Sequence, residues 1–235
     1  MTQPRPAVEP TKLTALVAGG SGLVGKHLLE LLTLQADFGR VLAVTRRPLS
    51  FDHPRLANRI VRFDTLEQSL AGMRADVAFC CLGTTLRSAG SREAFRQVDC
   101  DYVVAFARAA RTAGVARFVL NSSVGADSGS KNFYLRVKGE TEAALAAFDF
   151  AALDILQPGL LLGWRNDVRP LELAASLVLG AINPLLFGRG EPYRAIPARV
   201  VAAAMVGATR TGRKGIYRYT HREIRDLADP SRKRK

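Results

Sequence analysis

Two side chains able to move a proton, Tyr134 and Lys138, lie four residues apart in the stretch NSSVGADSGSKNFYLRVKG at 121–139. A free tyrosine ionises near pH ~10, too high to relay a proton readily at neutrality. An ammonium nearby stabilises the phenolate and brings proton exchange with a carbonyl or an alcohol within reach. Ser123, with ten residues between it and Tyr134, offers a hydroxyl that could hold a substrate oxygen. Ser123, Tyr134 and Lys138 are therefore the candidate catalytic set, and the chemistry they suit is proton transfer coupled to hydride transfer. A Tyr and a Lys four apart occur by chance in many helices. The weight must come from the elements that hold them.

Short apolar runs alternate with segments of helical periodicity, the pattern of a parallel sheet covered by helices on both faces. Strands are predicted at 13–18, 40–45, 59–63, 76–82, 116–122 and 150–156, with 215–220 a candidate last strand. Helices are predicted in LVGKHLLELLTL, over 91–114 with Ser91 as cap and Gly114 at the exit, and over 133–148. The fold class is α/β: a Rossmann doubly wound parallel sheet in the order 3-2-1-4-5-6, with a small C-terminal substrate lobe. Residues 1–11 read as a flexible arm, 12–158 as the dinucleotide-binding core, 159–229 as the lobe and last strand, and 230–235 as a basic tail. Tyr134 and Lys138 then share a face of the helix that follows strand five, at the sheet edge where such folds bind ligands. Gly139 in that helix costs about 1 kcal/mol relative to alanine, so a packing role is expected of it.

The first strand runs directly into AGGSGLVG, with Gly19, Gly22 and Gly25 spaced for a phosphate-binding turn and Leu23 and Val24 opening the helix behind it. Glycine there permits the tight turn and lets backbone approach a pyrophosphate, while the helix N-terminus faces the negative charge. An NAD-specific site would carry Asp or Glu at the end of the second strand. This chain carries Thr45, Arg46 and Arg47. A guanidinium can pair with a 2′-phosphate through two charge-assisted hydrogen bonds, so NADP(H) is favoured over NAD(H). By position, Asp64 is assigned to adenine, and Leu82, Gly83 and Thr84 to the ribose that leads to nicotinamide. Pro158 follows strand six at the same edge.

The chain has 235 residues, 48% of them hydrophobic, which suffices for one substantial core. Cys80, Cys81 and Cys100 show no metal-binding spacing and read as buried free thiols; no metal is expected. With no apolar leader segment, they point to a cytoplasmic protein, with peripheral membrane contact as the alternative. The longest uncharged stretch, 173–188, is too short to span a bilayer and is broken by Asn183 and Pro184. The net charge of +13 is spread over scattered arginines, which argues against a dedicated nucleic-acid function. The tail Arg232, Lys233, Arg234 and Lys235 is an alternative source of weak attraction to polyanions or membrane surfaces. A homodimer stays an open expectation.

The segments AGGSGLVG, VTRR, FCCLGTT, the strand-end Ser and YLRVK, in that order, resemble the short-chain dehydrogenase/reductase superfamily. FCCLGTTLRSAGSREAFRQVDCDYV, SSVGAD, NFYLRVKGE and QPGLLLG are similar to its atypical subgroup of Tat-interacting-protein oxidoreductases. The resemblance implies an NADP(H)-binding Rossmann fold with Ser123, Tyr134 and Lys138 at the Ser-Tyr-Lys positions and Lys138 also on the nicotinamide ribose. Two departures stand out. The helix position of an assisting Asn in many relatives falls near Val98 and Asp99, and Gln157 replaces an Arg often found before the Pro-Gly. The expected function is reduction of a carbonyl-type, moderately apolar small molecule, with Leu160, Leu161, Trp164 and Arg165 on the substrate side. The alternative is an NADP(H)-binding regulatory or scaffold protein with little turnover.

Overall fold

The computed structural model of the protein describes residues 12–163 and 188–231. Trp164, Arg165, the arm, the basic tail from Arg232 and nearly all of the uncharged stretch 173–188 lie outside the described residues.

Seven parallel strands form one sheet in the order β3-β2-β1-β4-β5-β6-β9. They are β1 (Leu13–Ala18), β2 (Phe38–Thr45), β3 (Leu56–Ile60), β4 (Val77–Cys80), β5 (Arg117–Asn121), β6 (Ala152–Leu156) and β9 (Gly215–Tyr219). The expected order holds, and the last strand adds itself beyond β6 in parallel register, Leu156 opposite Tyr219. The central strands are apolar on both sides because helices cover both. On one face Leu16, Leu42, Ala78 and Phe118 pack against α5 (Tyr102–Thr112) and α6 (Phe133–Ala146). On the other, Val17, Val41, Phe79 and Val119 pack against α1 (Leu23–Leu34), α7 (Ala198–Thr209) and α8 (His221–Ala228). Cys80 and Cys81 fall on opposite faces, as alternation along a strand requires. Burial pushes the Cys80 thiol up to about 12, so it stays protonated.

Three sequence expectations need correction. The third strand lies at Leu56–Ile60 and not at 59–63, because this edge strand is half-exposed and its alternation is weak. Short helices α2 (Leu66–Ser69), α3 (Leu86–Ala89) and α4 (Arg92–Arg96) occupy the connections that follow β3 and β4. The long helix expected over 91–114 starts at the Ser91 cap and ends at Gly114, but a π turn at Gln97–Asp101 separates α4 from α5. There the Tyr102 N–H reaches back five residues to the Gln97 carbonyl. The run Ala198–Thr209, expected in the lobe, instead buries Val201, Ala202, Ala204 and Met205 in the core beside α1. The lobe's described part is a two-stranded pair, β7 (Leu161–Leu162) with β8 (Ile196–Pro197), entered by a 3₁₀ turn at Gly188–Tyr193.

A buried polar cluster fastens β9 to the sheet. Asp154, fully buried in β6, receives Arg117 Nη1 at 2.5 Å and Tyr219 Oη at 2.9 Å. Arg117 Nη1 also donates to the Ala208 carbonyl at 3.0 Å and Nη2 to the Arg213 carbonyl at 2.5 Å, tying in the end of α7. Burial raises the Asp154 carboxyl against the lowering pull of Arg117. Removing one partner of a buried ion pair leaves a charge with nothing to offset it. Arg117→Ala should therefore cost about 3–5 kcal/mol in urea unfolding, and Tyr219→Phe about 2 kcal/mol. Losses below about 1 kcal/mol for both would show that the cluster does not hold the edge strand.

Candidate functional site

The C-terminal edge of the sheet is built around close backbone contacts. Gly19 leaves β1 with φ +82, a conformation that side chains rarely adopt, and a Cβ there would overlap the Cys81 carbonyl. A Cβ on Gly25 would overlap the Gly19 carbonyl, so α1 starts pressed against the turn. Gly22, at the N-cap of α1, donates to the Gly19 carbonyl at 3.0 Å. This is the cradle a pyrophosphate needs, with Leu23 at its rim beside Gly163 and Val24 buried beneath. The residues present fit a dinucleotide. Arg46 and Arg47 stand exposed just past β2, next to the β1 end, with the strand exit pinned by Asn58 Nδ2 to Thr45 Oγ1 at 2.7 Å. Asp64 sits in a 3₁₀ turn after β3 and pairs with Arg62 at 2.6 Å on the surface, the hydrogen bond from Arg62 holding its carboxyl below the usual range.

Tyr134 and Lys138 project from the first turns of α6, whose N-cap is Asn132 accepting from the Leu135 N–H. The Tyr134 ring packs on Phe95 at 5.5 Å, and Lys138 Nζ stands 6.0 Å from its centroid. Lys138 is only 7% exposed, so burial alone would pull its ammonium down; Asp99 outweighs this, with help from Tyr134 and Cys80, and the net shift is upward. Asp99 is the residue that sequence reasoning registered only as the place of an absent Asn. Its Oδ1 lies 2.6 Å from Lys138 Nζ, and its Oδ2 accepts the Thr84 N–H at 2.8 Å. A Cβ built on Gly83 would stand 3.4 Å from Asp99 Oδ1 and 3.6 Å from Lys138 Nζ. The Leu82-Gly83-Thr84 loop therefore runs directly over the ion pair.

Of the two serines at the end of β5, Ser122 is buried and donates to Glu142 Oε1 at 2.6 Å. Ser123 Oγ is half-buried, and among the described residues its one hydrogen-bond contact is a long 3.4 Å one to the Val124 carbonyl at the same strand exit. Glu142 also accepts from Gln157 Nε2 at 2.9 Å and Arg218 Nε at 2.9 Å. Gln157 thus supplies an amide, and the guanidinium of this cluster arrives from β9. Val124 N donates to the Pro158 carbonyl at 3.0 Å, which joins the serine loop to the turn after β6. Tyr193 Oη, from the lobe, approaches Gly125 in that loop. Leu160 is exposed and Leu161 is half-buried in β7. Asn121 Oδ1 is buried at the same edge with no hydrogen-bond partner among the described residues.

The model of the NAD dependent epimerase/dehydratase family matches residues 15–135. The chain is similar to Protein HTATIP2 of Rattus norvegicus, 38% identical over 82% of this chain and 79% of that protein. It is also similar to Protein FMP52, mitochondrial, of Debaryomyces hansenii, 36% identical over 83% of each chain. The protein of the same name from Lodderomyces elongisporus is 35% identical over 65% of this chain and 68% of its own length. These fungal names, which are mitochondrial, overturn the cytoplasmic expectation, which rested on free thiols and on reading the N-terminal residues as an arm and so had no positive signal behind it. Among solved structures, the Bordetella bronchiseptica enzyme WbmH in complex with NAD+ superposes with a TM-score of 0.69 at 15% identity, covering 93% of this chain and 80% of that one. Human epimerase family protein SDR39U1 with NADPH gives a TM-score of 0.59 at 17% identity, covering 88% and 74%. Both likenesses are likenesses of fold.

The short loop between Ser123 and Tyr134 is held down by Gly139. A Cβ there would overlap the backbone of Asp127 and Ser128, and Asp127 N donates to the Leu135 carbonyl at 3.1 Å. Gly139→Ala should therefore destabilise the protein, although alanine is the better helix former by about 1 kcal/mol. A thermal melt raised by this substitution would show that the loop does not need the contact.

Proposed function

The chain belongs to the NAD dependent epimerase/dehydratase family, and from that premise we propose that it is an NADP(H)-dependent oxidoreductase reducing a carbonyl-type, moderately apolar small molecule. The observation that carries the reading is a buried Lys138 ammonium beside Tyr134, under the Gly83 loop at the ligand-binding edge. Gly19, Gly22 and Gly25 would hold the pyrophosphate and Lys138 the nicotinamide ribose, and the bound nicotinamide supplies the hydride. Tyr134 gives its phenolic proton to the carbonyl oxygen as that oxygen becomes an alcohol. Ser123, the serine whose hydroxyl is not engaged by Glu142, orients the same oxygen. Leu160 and Leu161 offer apolar surface to the rest of the substrate, and binding there lowers the barrier by orientation. Arg46 and Arg47 favour NADP(H), because no acidic side chain follows β2 to repel a 2′-phosphate.

Turnover with aldehydes, ketones and quinones is the test. Tyr134→Phe should lower NADPH oxidation by about 10²–10⁴-fold while NADPH still binds. A Tyr134→Phe variant as active as the parent would overturn the assignment. NADPH binding without turnover across the panel would favour a cofactor-binding regulatory protein. Arg46→Ala with Arg47→Ala should weaken NADPH at least ~tenfold more than NADH, the scale of a lost charge-assisted contact. Equal losses would place the 2′-phosphate elsewhere.

A further inference from the structure

Asp99 is anchored at three points, more than a helix residue needs for packing. It lies in the π turn, and its carbonyl, at 2.9 Å, shares the Thr141 Oγ1 proton with the Val137 carbonyl at 2.8 Å. Its carboxylate takes Lys138 on one oxygen and the Thr84 N–H on the other. The turn thereby presents a fully buried carboxylate between the cofactor loop and the lysine of α6. The other groups around the site are the buried thiols of Cys80 and Cys100, with Phe95, Phe133 and Val137 as apolar neighbours. Arg96 and Glu140 pair with each other one turn away, and Arg92 and Arg136 lie over Phe133. No second buried carboxylate faces Lys138 among the described residues.

We propose that Asp99 is a positioning residue that offsets the charge of the Lys138 ammonium, keeps the proton on Tyr134 and thereby suits the site to carbonyl reduction. The inference rests on the Ser-Tyr-Lys reading of the site. An ammonium lowers a tyrosine's proton affinity only by the field it presents. A carboxylate at 2.6 Å from Nζ offsets part of that field, so the ammonium still brings Tyr134 within reach of proton exchange without stripping its proton at rest. Reduction begins from a protonated phenol: the O–H bond of Tyr134 breaks as a new O–H forms on the substrate oxygen, and solvent returns the proton afterwards. Alcohol oxidation needs the phenolate instead.

Asp99→Asn tests this, since an amide oxygen can still accept from Thr84 while one buried negative charge is gone. Tyrosinate absorbance followed against pH, as the difference between each protein and its Tyr134→Phe counterpart, reads Tyr134 alone and needs no turnover. Asp99→Asn should move the onset of Tyr134 ionisation down by about one pH unit or more, a tenfold change in the protonation ratio. Lys138→Met should move it up, and this variant decides the matter if Asp99→Asn does not fold. Onsets unmoved in the folded variants would overturn the proposal even in an active enzyme. Where the parent reduces a quinone with NADPH, the alkaline limb of kcat should move down with Asp99→Asn and KM for NADPH should hold. A raised KM with an unmoved limb would mark Asp99 as a mere structural support. A parent that turns over nothing refutes the reductase reading, and the titration still decides the role of Asp99.

Discussion

A buried ammonium is the constraint on which this site depends. Removing Lys138 from water carries a desolvation cost that no packing interaction recovers, so the fold must bring an anion to it. That anion is Asp99, and much of the local architecture follows from delivering it. The helix after β4 breaks its regular ladder in a π turn, the Thr141 hydroxyl reaches the Asp99 carbonyl, and the Thr84 N–H donates to the second carboxylate oxygen. A π turn is costly in isolation and tends to occur where a side chain must be re-aimed. Here it aims one.

The same logic runs through the second buried carboxylate at the edge. Glu142 collects Ser122, Gln157 and Arg218 from the ends of β5, β6 and β9. Four elements meet on one side chain, and the serine loop leaves from that junction. Engaging Ser122 separates the two adjacent serines by environment, which sequence alone could not do. One is a structural donor to a buried acid, and the other is half-buried with its hydroxyl uncommitted to Glu142. Gly139 completes the arrangement from below, since only a residue without a side chain lets the loop lie against α6.

Much of the fold was legible because it rests on local periodicity. β1 was bounded correctly and the sheet order followed from the βαβ rhythm, since buried parallel strands and amphipathic helices leave distinct patterns. The glycine turn was legible for the same reason: its requirement is steric and falls on consecutive residues. β3 was displaced because an edge strand with three exposed positions writes little into its sequence. Ala198–Thr209 was assigned to the lobe because its position after Pro158 suggested a change of region, whereas its apolar side chains seal the core against α1. Tyr134 and Lys138 were nominated by spacing. Asp99 and Glu142 were not, because each acts through partners far along the chain.

The Gln at 157 shows how such partnerships hide. Taken alone it looks like the loss of a cation from the strand-six turn. Glu142 still receives a guanidinium, from Arg218, one strand further out. What the buried acid requires is a positive charge and enough N–H donors, not a particular place in the chain that supplies them. β9 pairs in parallel with β6 and sets Arg218 opposite Ile155, within reach of α6. The charge requirement is therefore met across the sheet edge, and the added strand is coupled to the serine loop through a single carboxylate. A motif incomplete along the chain can be complete in space.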